Sequence, residues 1–135
     1  MSSIRPTPIL RAALLGDALA SGATGLLAFA GAGLLADLLG LPLPLLRYAG
    51  LLLLPYAAFL AWIGIRDRVG EGIVWLIVAG NALWAFASVL LLTSGRVAPT
   101  TLGIAFIVLQ AAVVAMFGAV QAYGLRARPS VAAHA

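Results

Sequence analysis

The chain has 135 residues, 64% of them hydrophobic and only 9% charged, with a mean hydropathy of +1.13. A soluble domain carries about 25% charged residues, so lipid has to be the solvent for most of this surface. The formal charge of +4 comes from eight Arg, no Lys and four acids; with no Cys either, disulfides, thiolate metal sites, thiol catalysis and a lysine Schiff base are all excluded.

A bilayer core about 30 Å thick takes roughly 20 apolar residues per helix. After short tails and loops, the chain has room for four such helices in one domain spanning 1–135. The expected fold is an all-α, polytopic four-helix bundle. Residues 1–8, MSSIRPTP, read as a short polar tail; Pro8 suits the first turn of the helix that follows. The first helix is expected over 9–36. Arg5 and Arg11 ahead of Ala18-Leu19-Ala20 imitate a signal peptide. The apolar stretch there is short and holds Asp17, however, and the run continues to Ala36, so a spanning helix is expected instead. Asp37 and Gly40-Leu41-Pro42-Leu43-Pro44 form the first turn, because two prolines one residue apart cannot continue a helix.

The second helix is expected over 45–65, with Pro55 inside it as a kink that neighbouring helices can tolerate. Arg66 to Gly72 is a loop whose Arg66, Asp67, Arg68 and Glu71 read as solvated or as contacts to anionic lipid. The third helix is expected over 73–94 and the fourth over 100–125, joined by Gly95 to Pro99. A short tail with the only His, His134, follows and offers no metal site. The two hairpins do not match in sequence, which disfavours an inverted-repeat transporter.

Four helices put both tails and the second loop on one side, with Arg5, Arg11, Arg66, Arg68, Arg126 and Arg128; the other side has only Arg47 and Arg96. Positive residues near helix ends stay cytoplasmic, so both termini are expected there. Trp62, Trp75 and Tyr123 fall near that boundary and Tyr48 near the other, where amphipathic rings sit. The pI near 10.8 is thus a matter of topology and not of nucleic-acid binding. Heavy use of Ala, Leu, Gly and Arg fits a GC-rich coding sequence, and so a bacterial inner membrane.

Asp17 is the one acid at membrane depth. Such a group costs several kcal/mol unless partnered, and marks a candidate functional site. Counting about 1.5 Å per residue, Asp17, Tyr56 and Asn81 all lie about 14–15 Å from the same end of the bundle. Ser21 is one turn above Asp17, and Trp84 lies slightly deeper on the Asn81 face. The same count leaves Gln121 nearer the cytoplasmic surface and Gln110 in the opposite half. No Arg or His shares the layer, so Asp17 is expected to have neutral partners and to be a protonatable acid. Along the first helix a row of small residues runs from Ala12 through Gly16, Ala20 and Thr24 to Ala36, a candidate packing face. A segment made mostly of small residues also produces such a row by composition alone. Asp37 and Arg47 flank the first turn and could pair there for little gain.

The segments GDALASGATGLL, RYAGLLLLPYAAFLAW and GNALWAFASVLLL resemble small four-helix integral membrane proteins of GC-rich bacteria, a group with no activity attached. In architecture alone the chain is also similar to the small multidrug resistance transporters, which have four short helices and one acid in the first. That resemblance would give Asp17 the role of carrying protons and cationic drugs. The departures are the Asp in place of their Glu, no match to their aromatic motif around Trp84, and a strong Arg bias where dual-topology members are balanced.

Two functions are therefore expected as alternatives. The first is a non-enzymatic structural or interaction protein without a cofactor, in contact with membrane lipids and with a second copy or another membrane protein. The second is a proton-coupled transporter, or a lipid- or small-molecule-binding protein, using Asp17, Tyr56 and Asn81. A lipid enzyme would have only one carboxylate and no second acid, base or metal to work with.

Overall fold

The computed structural model describes residues 2–127; Arg128 and His134 lie outside the described residues. The chain forms α1 (Pro8–Ala30), α2 (Ala32–Leu39), α3 (Leu43–Gly64), α4 (Glu71–Thr93) and α5 (Thr101–Arg126), with β1 (Ser3–Ile4) and β2 (Val69–Gly70) as two-residue strands. Helices α1, α3, α4 and α5 are long and apolar enough to cross a membrane. In packing order they run α3, α1, α5, α4: α1 lies against α3 and α5, and α4 against α5, with no extended contact between α3 and α4.

The expected first helix is in fact two. Gly31 interrupts it, although its N–H still bonds the Leu27 carbonyl at 2.8 Å and its own carbonyl accepts from Leu35 N at 2.9 Å. Glycine is about 1 kcal/mol poorer than alanine in a helix, and the break lets α2 lean onto α3 and α5. Ala32 and Leu39 of α2 then join Leu41, Leu46 and Ile107 in a core at the Gly40 end of the bundle. A second core, at the Gly70 end, is built from Leu10, Leu14, Leu60, Ile63, Val74 and Leu125, so all four spanning helices meet there.

Each end is tied by polar groups that a helix otherwise leaves orphaned. At the first, Gly40 takes a left-handed φ of 67° and caps α2 through Gly40 N to Ala36 O, 3.0 Å. Thr100 then reaches across from the α4–α5 loop: its N–H bonds Leu39 O at 3.0 Å and its hydroxyl donates to Leu38 O at 2.7 Å. Gly103 passes directly beneath the Leu39 carbonyl. At the other end the segment read as a free polar tail is a strand. Ser3 pairs with Gly70 and Ile4 with Val69, antiparallel. Ser2 Oγ donates to Glu71 at 2.8 Å, Arg68 Nε to Ser3 Oγ at 3.1 Å, and Arg11 caps α3 by donating to Gly64 O at 2.6 Å. The second loop is thus partly engaged by the tail instead of wholly solvated. Asp37 and Arg47 are exposed and form no ion pair with each other.

The tightest helix contact is between Gly25 of α1 and Gly50 of α3. A Cβ on Gly50 would stand 2.6 Å from both Gly25 O and Phe29 N; one on Gly25 would stand 2.9 Å from Leu53 Cβ. This corrects the expected packing row in part. Gly16 does face a neighbour, since a Cβ there would meet Phe117 at 2.9 Å on α5. Ala20 and Thr24 instead line a cavity, and Ala12 is exposed. The seam with α3 follows Ser21 and Gly25, one residue round the helix from the row.

Gly50→Leu should therefore lower the melting temperature in detergent far more than Leu27→Ala, whose side chain is 58% exposed, or Gly80→Ala, which has open space around it. Overpacking of this kind costs about 1–3 kcal/mol. Equal melting of the three variants would show that α1 and α3 do not touch at Gly50.

Candidate functional site

Asp17 sits midway along α1 with none of its surface exposed. Its carboxyl faces α4 and α5. Asn81 Nδ2 donates to Asp17 Oδ2 at 2.7 Å, and Gln121 Nε2 donates to the same oxygen at 2.8 Å. The second Asn81 N–H goes to Gln121 Oε1 at 3.0 Å, so the three side chains close a ring. Ser21 Oγ, one turn along α1, donates to Asp17 Oδ1 at 3.1 Å. Tyr56 of α3 donates its hydroxyl to Asn81 Oδ1 at 2.9 Å, which directs the Asn81 amide nitrogen at Asp17. All four spanning helices thus contribute to one layer. Among the described residues no buried side-chain nitrogen or oxygen lacks a partner.

Backbone packing makes the ring possible. Gly118, one turn before Gln121 on α5, leaves room for Asn81: a Cβ there would lie 3.3 Å from Asn81 Cβ. Asn81 is 2% exposed and Gln121 wholly buried. Asp17, Ser21, Tyr56 and Asn81 are brought together as the depth count places them. Gln121 was placed too near the surface by that count, and it is a full member. The count treats helices as upright and side chains as points, whereas the long amide side chain of Gln121 reaches beyond the level of its own backbone to Asp17. The signal available in the sequence was Gly118-x-x-Gln121-x-x-x-Leu125, one helical face joining a small residue, an amide and a core leucine.

Trp84 does not belong to the layer. It donates Nε1–H to Gln110 Oε1 at 2.8 Å, while Gln110 Nε2 donates to Ser88 Oγ at 2.9 Å and Ser88 Oγ to the Trp84 carbonyl at 2.8 Å. This second cluster lies toward the Gly40 end and borders two adjoining cavities. One, of about 300 Å³, has Ser21, Thr24 and Gln110 in its wall; the other, of about 340 Å³, opens between Tyr48 and Leu52 of α3 and Ser88 and Leu91 of α4. Neither touches Asp17. At the opposite end Arg66 lies 4.6 Å over Trp62, and Arg126 lies 5.9 Å over Trp75. Each pair puts a guanidinium on an exposed or half-buried ring near a helix end.

The groups touching Asp17 are a hydroxyl and two amides, with a phenol behind them. They can hold and orient a carboxyl; general acid–base work would further require a substrate within hydrogen-bond reach. Comparison of the chain with protein-family models, with curated proteins and with solved structures gave no match.

The ring predicts how substitutions at Asp17 rank. Asp17→Asn can place its oxygen on the two amide donors and its NH₂ on Ser21 Oγ, so it should melt within a few degrees of the parent. Asp17→Leu leaves the Asn81 and Gln121 donors unpaired, at about 1–3 kcal/mol for each buried group, and should melt far lower in detergent. The two variants melting alike would mean that the ring does not hold the helices.

Proposed function

We propose that this chain is a non-enzymatic membrane protein of structural or interaction type, and that the Asp17 layer is the internal lock that keeps its helices in register. The observation that carries this reading is the closed ring: both Asp17 oxygens are taken by side chains of the protein's own helices. A carboxyl used in this way needs no ligand, and interhelical hydrogen bonds in lipid are worth about 0.6–2 kcal/mol each. We place the protein in a bacterial inner membrane, with membrane lipids and a second copy or another membrane protein as its partners.

The orientation we propose has both termini in the cytoplasm, on the six-to-two distribution of Arg between the two sides. Reporters fused after residue 128 and within 66–72 should read cytoplasmic, and one within 40–44 should read external. An external C-terminus would overturn the orientation, and equal populations of both would favour a dual-topology carrier.

A second reading is a proton-coupled carrier or small-molecule-binding protein acting through Asp17, Tyr56 and Asn81. One observation favours it: the wall of the 300 Å³ cavity includes Ser21, a direct partner of Asp17. Reconstitution in liposomes with an imposed pH gradient separates the two. The lock reading expects the same proton flux from the parent and from Asp17→Asn, at the level of empty liposomes. A flux in the parent that Asp17→Asn abolishes would replace the lock by the carrier.

A further inference from the structure

We infer that the cleft between α3 and α4 is a binding site for one hydrocarbon chain of a phospholipid, from the leaflet at the Gly40 end. The inference rests on the membrane placement of the bundle and is independent of the role given to Asp17. Helices α3 and α4 meet at the Gly70 end, where Leu60 and Ile63 pack in one core with Val74 and Ile77. The Tyr56–Asn81 bond ties them at mid-height. Between it and the core at the Gly40 end, which Leu46 of α3 helps to form and against which Leu91 and Leu92 of α4 pack, lies the cleft of about 340 Å³, walled by Tyr48, Ala49 and Leu52 on one side and Trp84, Ala87 and Leu91 on the other.

Three properties fix the occupant. The cleft lies between two helices of membrane-spanning length, so the medium at its mouth is lipid chain. An apolar void left empty loses dispersion contacts along its whole lining, and apolar cavities stay dry. Three of the polar side chains that line it, Trp84, Gln110 and Ser88, already bond one another. A ligand needing hydrogen bonds finds these partners engaged, whereas a chain of methylenes needs none. A helix from a second copy, about 10 Å across with its side chains, would seat only its side chains there, whereas a single chain of methylenes can lie along the cleft.

The rim points to a phospholipid in particular. Tyr48 is 70% exposed at the mouth, and tyrosines favour the headgroup level. Arg47 and Arg96 are exposed at the same end, and their guanidinium groups have no hydrogen-bond or ion-pair partner among the described residues. They supply positive charge at the level where a phosphate would stand.

The test uses the full chain with Trp62→Phe and Trp75→Phe, which leaves Trp84 as the sole indole. It is reconstituted in vesicles of phosphatidylglycerol and phosphatidylcholine carrying bromine at mid-chain. Trp84 should lose most of its fluorescence relative to unbrominated vesicles. Filling the cleft with Ala49→Phe or, from the other wall, Ala87→Phe should restore most of it. Native mass spectrometry of the parent in mild detergent should show one retained phospholipid, lost in both filled variants. Two filled variants guard against one that fails to fold. Unquenched Trp84, or quenching untouched by both fillings, would overturn the site. Quenching that rises as the protein is diluted in lipid would overturn it in favour of a second copy. Retention of phospholipid unchanged by Arg47→Ala with Arg96→Ala would overturn the headgroup assignment.

Discussion

A carboxyl at membrane depth has to be met by donors, because a lone charged or polar group at the centre of a helix in lipid costs about 2.5–3.5 kcal/mol even on the mildest scale. Asp17 is met by three, and they come from its own helix, from α4 and from α5. That requirement fixes much else. The two amides reach one oxygen only if α4 and α5 hold their register against α1, and Gly118 keeps α5 thin where Asn81 crosses it. Tyr56 extends the tie to α3, which has no extended contact with α4. The bundle lacks the aqueous hydrophobic effect as a force between its spans, so specific contacts of this kind and close backbone approach must set the arrangement. The Gly25–Gly50 seam is the second of the two.

The ends of the bundle solve a different problem. Helix termini leave N–H and C=O groups unpaired, and each end satisfies them with a segment far away in sequence. Thr100 closes the end of α2, and Arg11 closes the end of α3. The β1–β2 pair ties the chain start to the α3–α4 loop. These ties join the first hairpin to the second at the Gly40 end, and the chain start to the middle of the chain at the Gly70 end. Neither tie is evident from hydropathy.

The spans were legible because the property that defines them is additive along the sequence: about 20 apolar residues bounded by Gly, Pro or Arg. The expected bounds of 45–65, 73–94 and 100–125 differ from α3, α4 and α5 by two residues or fewer at each end. The break at Gly31 was not legible, since Gly31 and Gly33 sit in a run already rich in glycine, and only the docking of Ala32 and Leu39 selects which one bends. Asp17, Tyr56 and Asn81 were legible as a layer because depth needs only a count. Gln121 and Trp84 were misjudged because membership in a layer depends also on which way a side chain reaches. The small-residue row shows the same limit: neighbouring rows of a helix made largely of Ala, Gly, Ser and Thr are compositionally alike, and the identity of the seam is decided by Gly50 on the partner.

The polar layer and the cleft are two consequences of one geometry. Asn81 must come inward to reach Asp17, which draws α4 toward α1 and α3 at that level. Toward the Gly40 end, Phe106 and Gln110 of α5 line the cleft together with residues of α3 and α4, and Gln110 bonds Trp84 and Ser88 of α4. The helix tied to α1 and α3 through Asn81 thus borders the cleft at Ser88, seven residues later. A soluble protein would collapse such a gap or fill it with water. In lipid neither is required, because the surrounding chains can complete the packing without exposing any apolar atom to water. The second polar cluster has a structural reason of its own: Trp84, Gln110 and Ser88 pair with one another in the wall of the cleft, as the layer around Asp17 pairs its own donors and acceptors.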